Sequence, residues 1–212
     1  MNANSSGYLY HAWLASALLP PFQTKLLLDR YLTPENVFLA YKSGNRPEGI
    51  ASAGVTALLN NASDRNLSKL DSLLKNHRIG AFTILDREYP KTLLQMQEPP
   101  AVLFYQGDLQ CLDSRLLAMV GSRAASYDGQ MAARRIAGEL SRRGIGIISG
   151  MADGIDSASH AGCLEGGSPS IAVTGCGLDI VYPPGNEKLR DSILKNKGLL
   201  LSEYAQIGRA HV

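Results

Sequence analysis

The sequence predicts an α/β chain in which a parallel sheet follows a small all-helical domain. Three observations carry this. From Leu116 onward, short continuous apolar runs alternate with helix-patterned segments, the signature of parallel strands covered on both faces. Before about residue 78 the apolar residues recur instead near the helical period. In the alternating half, Gly121-Ser122-Arg123, Ser149-Gly150 and Gly175-Cys176-Gly177 each follow a strand pattern, where ligands of parallel α/β sheets sit.

Taken in order, "LYHAWLASALL", "TKLLLDRYL", "PENVFLAY", "GIASAGVTALL" and "LSKLDSLLKNH" space their apolar residues for helices. The first lies within "YLYHAWLASALLPP", which superficially matches the apolar part of a signal peptide. It lacks a basic segment before it, and Tyr10, His11 and Ser16 interrupt it, so it reads as a buried helix. Thr33-Pro34-Glu35 marks a helix start, with Pro34 where a missing N–H costs nothing. "GAFTILD" and "AVLFYQGD" read as strands separated by the proline-punctuated "REYPKTLLQMQEPP". Then come strand "LLAMVG", helix "YDGQMAARRIAGELSRRG", strand "IGIISG", helix "GIDSASHAGCLEGG", strand "SIAVTG", helix "NEKLRDSILKNKG" and strand "LLLSE".

Composition narrows the class. A chain of 212 residues with 45% hydrophobic and 19% charged side chains suits one large or two small globular domains. No apolar run reaches the roughly 18 residues a membrane helix requires, so no membrane role is expected. Cys111, Cys163 and Cys176 are odd in number and lack Cys-x-x-Cys spacing, which reads as small core residues in a reducing cytosol. The net charge of +2 gives no strong global attraction to nucleic acid. Its distribution is uneven. Six basic residues face Asp128 and Glu139 between Arg115 and Gly150, whereas residues 151–187 hold five acidic residues and no Lys or Arg. A local basic face can bind phosphate even when the total is near zero.

The turn after "LLAMVG" is the best anion site. Gly121 permits close backbone approach, Ser122 offers a hydroxyl, and Arg123 can fork onto a phosphate. The helix behind adds roughly half a positive charge at its first turn. A glycine needed only for a tight turn, with Arg123 in water, is the competing reading. It is outweighed because further turns share the same rim. In "SGMADGIDSASH", Asp156 and His160 are four apart on one helical face, as an acid/base pair or metal half-site would be. Without a third ligand at suitable spacing the pair carries no chemistry; Asp153 and Asp156 read as plain helix-dipole partners, and neither metal nor catalytic role is expected. "GCGLDIVYPPGN" leads to Asn186, a favourable N-cap, with Tyr182 as a half-buried rim tyrosine. "GIGIISG" leads into a strand, unlike a dinucleotide fingerprint. "GCGLDI" lacks a third glycine, and no Gly-Lys-Ser/Thr occurs, so no nucleotide cofactor is expected.

Together, "VGSRAASYDG", "IISGMADGIDSASHAGCLEGG", "IAVTGCGLDIVYPPGNEKL" and "LLLSEY" resemble the successive blocks of the bacterial DNA-processing protein A family (DprA, also called Smf). "ILDREYPKTLLQMQEPPAVLFYQGDL" and "WLASALLP" extend the resemblance over nearly all of residues 10–204. It implies a small helical, SAM-like domain over residues 1–78 and an extended Rossmann-like sheet over 79–206. The implied function is single-stranded DNA binding without enzymatic activity. Incoming strands would be protected during natural transformation, with assistance to RecA loading and self-association as a homodimer. The resemblance further implies Gly121, Ser122 and Arg123 as the DNA-contacting turn, Ser149, Gly150 and Gly154 in the same pocket, and Asn186 on the neighbouring loop. The chain departs from the family at "LLPPFQTK", which lacks a Gly-x-Gly hairpin, and at Asp153, where many relatives carry a basic residue.

The end departs further. The family continues after "LSEY" through a Phe-Pro-x-Arg-Asn-Arg segment and further strands, whereas this chain reads "AQIGRAHV". The codons ATC GGA AGA GCA CAC GTC and the stop TGA begin a common sequencing-library adapter and encode Ile207 to Val212. Residues 207–212 are therefore expected to be adapter read-through on a truncated fragment. The truncated sheet would lack the portion bearing RecA and self-association surfaces. The alternative function is a nucleotide phosphoribohydrolase of the lysine-decarboxylase-like group, which shares this sheet. That group needs a Pro-Gly-Gly-x-Gly-Thr-x-x-Glu block, which is absent here.

Overall fold

The computed structural model describes residues 7–45 and 62–204, together with Ala53, Thr56, Leu58 and Asn60. Most of the helix expected over 49–59 and the tail 207–212 lie outside the described residues. The chain divides into two compact units, one running up to Phe104 and including Glu203 and Tyr204, the other spanning Tyr105–Ser202.

The first unit is built on helices α1 (Gly7–Ala15), α2 (Pro21–Tyr31), α3 (Pro34–Lys42) and α4 (Asp64–His77). Proline opens α2 and α3. Thr33 caps α3 by accepting from the Asn36 amide at 3.2 Å, and Ser63 caps α4 by accepting from Asn66 at 3.3 Å. The apolar stripes meet in a core of Trp13, Leu14, Leu27, Leu28, Val37, Phe38, Tyr41 and Leu58. Trp13 packs edge-on against Phe38 with centroids 5.1 Å apart. Strand β1 (Gly80–Thr83) lies beside the start of β2 (Val102–Gly107). It stops short of the expected 80–86 because Asp86 folds back, its carboxylate accepting from the Thr83 amide (2.6 Å) and hydroxyl (2.8 Å).

The second unit carries β3 (Leu116–Ala118), α5 (Tyr127–Arg142), β4 (Gly146–Ser149), α6 (Ile155–Gly166), β5 (Ser170–Thr174), α7 (Glu187–Lys195) and β6 (Leu199–Ser202). Its strands pair in parallel in the order β6-β5-β4-β3, with Ala118, Ile148, Ile171 and Leu199 in register. The parallel α/β reading therefore holds. A side chain has replaced the ladder at the end of β3, which is shorter than the apolar run suggests. The Met119 amide still reaches the Ile148 carbonyl (3.0 Å), but the Met119 carbonyl accepts from the Ser149 hydroxyl (2.6 Å).

Helices α5 and α6 pack closely because Gly162 has no side chain, and a Cβ there would strike the Arg134 backbone. Beneath them Ala137, Ile147 and Cys163 are fully buried, and Ser141 donates to the Cys163 carbonyl at 2.6 Å while accepting from the Ser168 amide at 2.8 Å. Arg134 and Glu165 pair across the outside of the two helices. All three cysteines are buried and unbridged, and burial pushes the Cys111 thiol up to about 11, so it is inert at neutral pH.

Candidate nucleic-acid interface

Three turns at the carboxyl ends of β3, β4 and β5 are bound to one another. In the first, Gly121, Ser122 and Arg123 are exposed. The Ser122 hydroxyl oxygen accepts from the Ala124 amide (3.2 Å), and Ser126 caps α5 by accepting from Gly129 (3.2 Å). This capping chemistry fixes where the helix begins and leaves the Arg123 side chain outside it. Among the described residues Arg123 takes part in no ion pair, whereas Arg134 and Arg142 are engaged by Glu165 and Glu139. Those two carboxyls are held below their usual range chiefly by the hydrogen bonds from their arginine partners.

The second turn holds the first from beneath. Gly154 lies at φ +80°, and a Cβ there would run into the Ser122 and Arg123 carbonyls; only glycine admits this approach. The next amide, Ile155, donates to the Ser122 carbonyl at 3.2 Å. Ser149 is buried, its hydroxyl donating to Met119. Gly150 is exposed, but its amide donates to the Asp156 carboxylate at 3.1 Å. Asp156 thus supplies the anion at the start of α6 from within the chain. Between them Met151 is buried with φ +62°, a left-handed conformation unusual for a side chain of this size.

The third turn is tied in by Asn186, whose Nδ2 donates to the Met151 carbonyl at 2.9 Å. Asn186 occupies the N-cap position of α7, as its residue type suggests, yet its side chain makes no capping hydrogen bond. Four residues on, Arg190 donates to the Leu178 carbonyl (2.6 Å) and to Gln106 Oε1 (2.8 Å), holding the loop that leads to Asn186. The cavity under this loop, bordered by Met151, Leu178 and Leu200, has about 10 Å³ of water-accessible space, room for a single water. Tyr182 is 41% exposed at its margin.

The residues expected from the sequence are therefore brought together, but in two kinds of environment. Gly121, Ser122, Arg123 and Gly150 face solvent; Ser149 and Gly154 are buried and Asn186 is half-buried. Asp156 and His160 are buried, at 6% and 0% exposure. Ser170 donates to the Ile147 carbonyl (3.1 Å), leaving its oxygen to accept from His160 Nδ1 at 2.7 Å. Burial pushes the imidazole down to about 4, with the Asp156 charge opposing, so it is neutral at pH 7. Among the described residues no group of His, Cys, Asp and Glu could hold a metal ion, and no helix is long and apolar enough to cross a membrane. The sequence did not reveal Asp156 as the acceptor for Gly150, nor the left-handed Met151. An aspartate in the first turn of a helix after a small-residue loop was the available signal for the former.

Comparison with known proteins places this geometry. A family model described as DNA recombination-mediator protein A matches residues 80–211. The Streptococcus pneumoniae DNA processing protein DprA is 40% identical over 141 residues, covering 66% of this chain and 48% of its own. Protein Smf of Synechocystis is 31% identical over 207 residues, covering 95% of this chain and 52% of its own. The chain thus spans about half the length of these curated relatives. Among solved structures, S. pneumoniae DNA processing protein A superposes with a TM-score of 0.69 at 31% identity, covering 96% of this chain and 69% of that one. Helicobacter pylori DNA processing protein A, solved for its single-stranded DNA binding mode, superposes with a TM-score of 0.52 at 31% identity over 59% of this chain and 56% of that one. With the matched segment spanning every strand of the sheet and all three turns, the chain belongs to the DNA recombination-mediator protein A family.

Proposed function

We propose that the protein binds single-stranded DNA at the rim formed by the three turns. Gly121, Ser122, Arg123 and Gly150 meet the sugar-phosphate backbone, and Ser149, Gly154 and Asn186 complete the pocket. The observation that carries this reading is the exposed Arg123, without an ion-pair partner among the described residues, on a turn locked to the start of α6. An arginine without such a partner gives up no existing ion pair on binding a phosphate, and its charge releases counterions from the strand. The single-stranded DNA binding mode of the H. pylori relative supports the same choice of ligand. Protection of incoming strands in natural transformation, assistance to RecA loading and self-association in the cytoplasm belong to this proposal. No residue is assigned a catalytic role.

The test is Arg123→Ala titrated with a labelled single-stranded oligonucleotide over a salt series. Loss of one charge-assisted phosphate contact should weaken binding about tenfold or more, and reduce the slope of log affinity against log salt by about 0.7. Unchanged affinity and slope would remove Arg123 from the site and the reading with it.

A further inference from the structure

We propose that Asn186 is a positioning residue for this site, holding the Arg123 turn in place without touching the strand itself; this rests on the single-stranded DNA reading above. The residue sits where asparagine ordinarily caps a helix by accepting a backbone amide through its side-chain oxygen. Here that bond is not made, and the side chain instead uses its Nδ2 donor on the Met151 carbonyl, 2.9 Å away and 35 positions earlier in the chain. A cap has been exchanged for a tie between two loops.

What the tie holds is a strained segment. Met151 is 3% exposed and has φ +62°, a region that L-residues with long side chains avoid unless their surroundings impose it. The segment it opens carries Gly154 and Ile155. Gly154 packs its bare α-carbon against the Ser122 and Arg123 carbonyls, and Ile155 donates to the Ser122 carbonyl at 3.2 Å. A continuous set of contacts therefore runs from Asn186 through Met151 and Gly154–Ile155 to the backbone of Ser122 and Arg123. The Asn186 end is itself anchored, since Arg190 fixes the Leu178 carbonyl from the next turn of α7. Freeing the Met151 carbonyl lets the 151–155 segment relax, and with it the support beneath Arg123.

A positioning role differs measurably from a direct contact. Arg123→Ala, Asn186→Ala and the double variant are titrated with a labelled single-stranded oligonucleotide over a salt series. Amide hydrogen exchange at Ile155 is followed in each protein without DNA, and thermal unfolding checks that each is folded. Asn186→Asp serves as a second variant, because it keeps the shape of the side chain but lacks the donor. The expected result has Asn186→Ala reproducing the loss of salt slope of Arg123→Ala, about 0.7. The double variant is no more than about twofold weaker than Arg123→Ala, since coupled residues are not additive. Ile155 exchanges about tenfold faster in DNA-free Asn186→Ala and Asn186→Asp, as expected for loss of one supporting hydrogen bond.

Asn186→Ala that weakens binding with its salt slope and Ile155 exchange unchanged, and adds to Arg123→Ala, would make Asn186 a direct contact. That overturns the inference and leaves the DNA reading standing. An Arg123→Ala variant that binds as the parent does overturns both. Should Asn186→Ala not fold, slow Ile155 exchange in a folded Asn186→Asp is enough to overturn the inference.

Discussion

His160 shows how much a single side chain can depend on its surroundings. It is fully buried, bonds to Ser170, and its pKa is pushed from 6.5 to about 4 by burial. Because the folded-state value lies below the unfolded one, the unfolded chain takes up the proton first as the solution is acidified. The contribution of His160 to stability is therefore complete above pH 6.5, declines as pH falls toward about 4, and is flat below that. The full loss is about 3 kcal/mol. Denaturant unfolding at pH 7 and pH 4.5 should show this decline in the parent protein, and His160→Gln should lack it. Equal pH dependence in the two proteins would refute the assignment. At the rim, Ser149 and Asn186 show the same dependence on context: residue types suited to contacting a ligand are used here on carbonyls of the chain itself.

At the scale of elements, the contact between α5 and α6 decides how well the rim is supported, because the first and second turns open onto these two helices. Their close approach depends on Gly162. Placing a methyl group there, in Gly162→Ala, drives it into the Arg134 backbone, which cannot rotate away as a side chain would. The expected cost is about 1–3 kcal/mol, the range for overpacking, read as a lower midpoint in chemical denaturation. A variant as stable as the parent would mean that the helices have room to separate. The existence and order of these helices and strands could be read from the sequence, since each depends on its own apolar period. Their ends were less legible. β1 stops at the Asp86 turn and β3 stops where Ser149 takes the Met119 carbonyl, and neither event is visible in an apolar run.

For the molecule as a whole, the segment that places the chain in the DNA recombination-mediator protein A family is the one that carries the sheet and the glycine-bearing turns at its strand ends. The net charge of +2 concentrates the question on local charge. Arg134 is paired with Glu165 from outside this stretch, so the basic excess between Arg115 and Gly150 is smaller in the fold than in the sequence. A phosphoribohydrolase on the same sheet would draw on a glutamate-bearing glycine block that this sequence lacks. On the single-stranded DNA reading, incubation with AMP should release no adenine, as judged by chromatography; release at a rate proportional to protein would bring the enzymatic reading back.

The sequence by itself determined the layered α/β class, the helical character of the N-terminal segments, and the position of the Gly121-Ser122-Arg123 turn between a strand and a helix. These follow from short-range causes: apolar periodicity, caps, and glycine or proline at chain reversals. Only the tertiary structure decided which of the neighbouring residues face solvent and which act as ties. Asp156 accepts the Gly150 amide, Ser149 reaches back to Met119, and Asn186 forgoes its cap for Met151. A hydrogen-bonding side chain has several partners of similar strength, and the fold selects among them by what it brings within 3 Å or so.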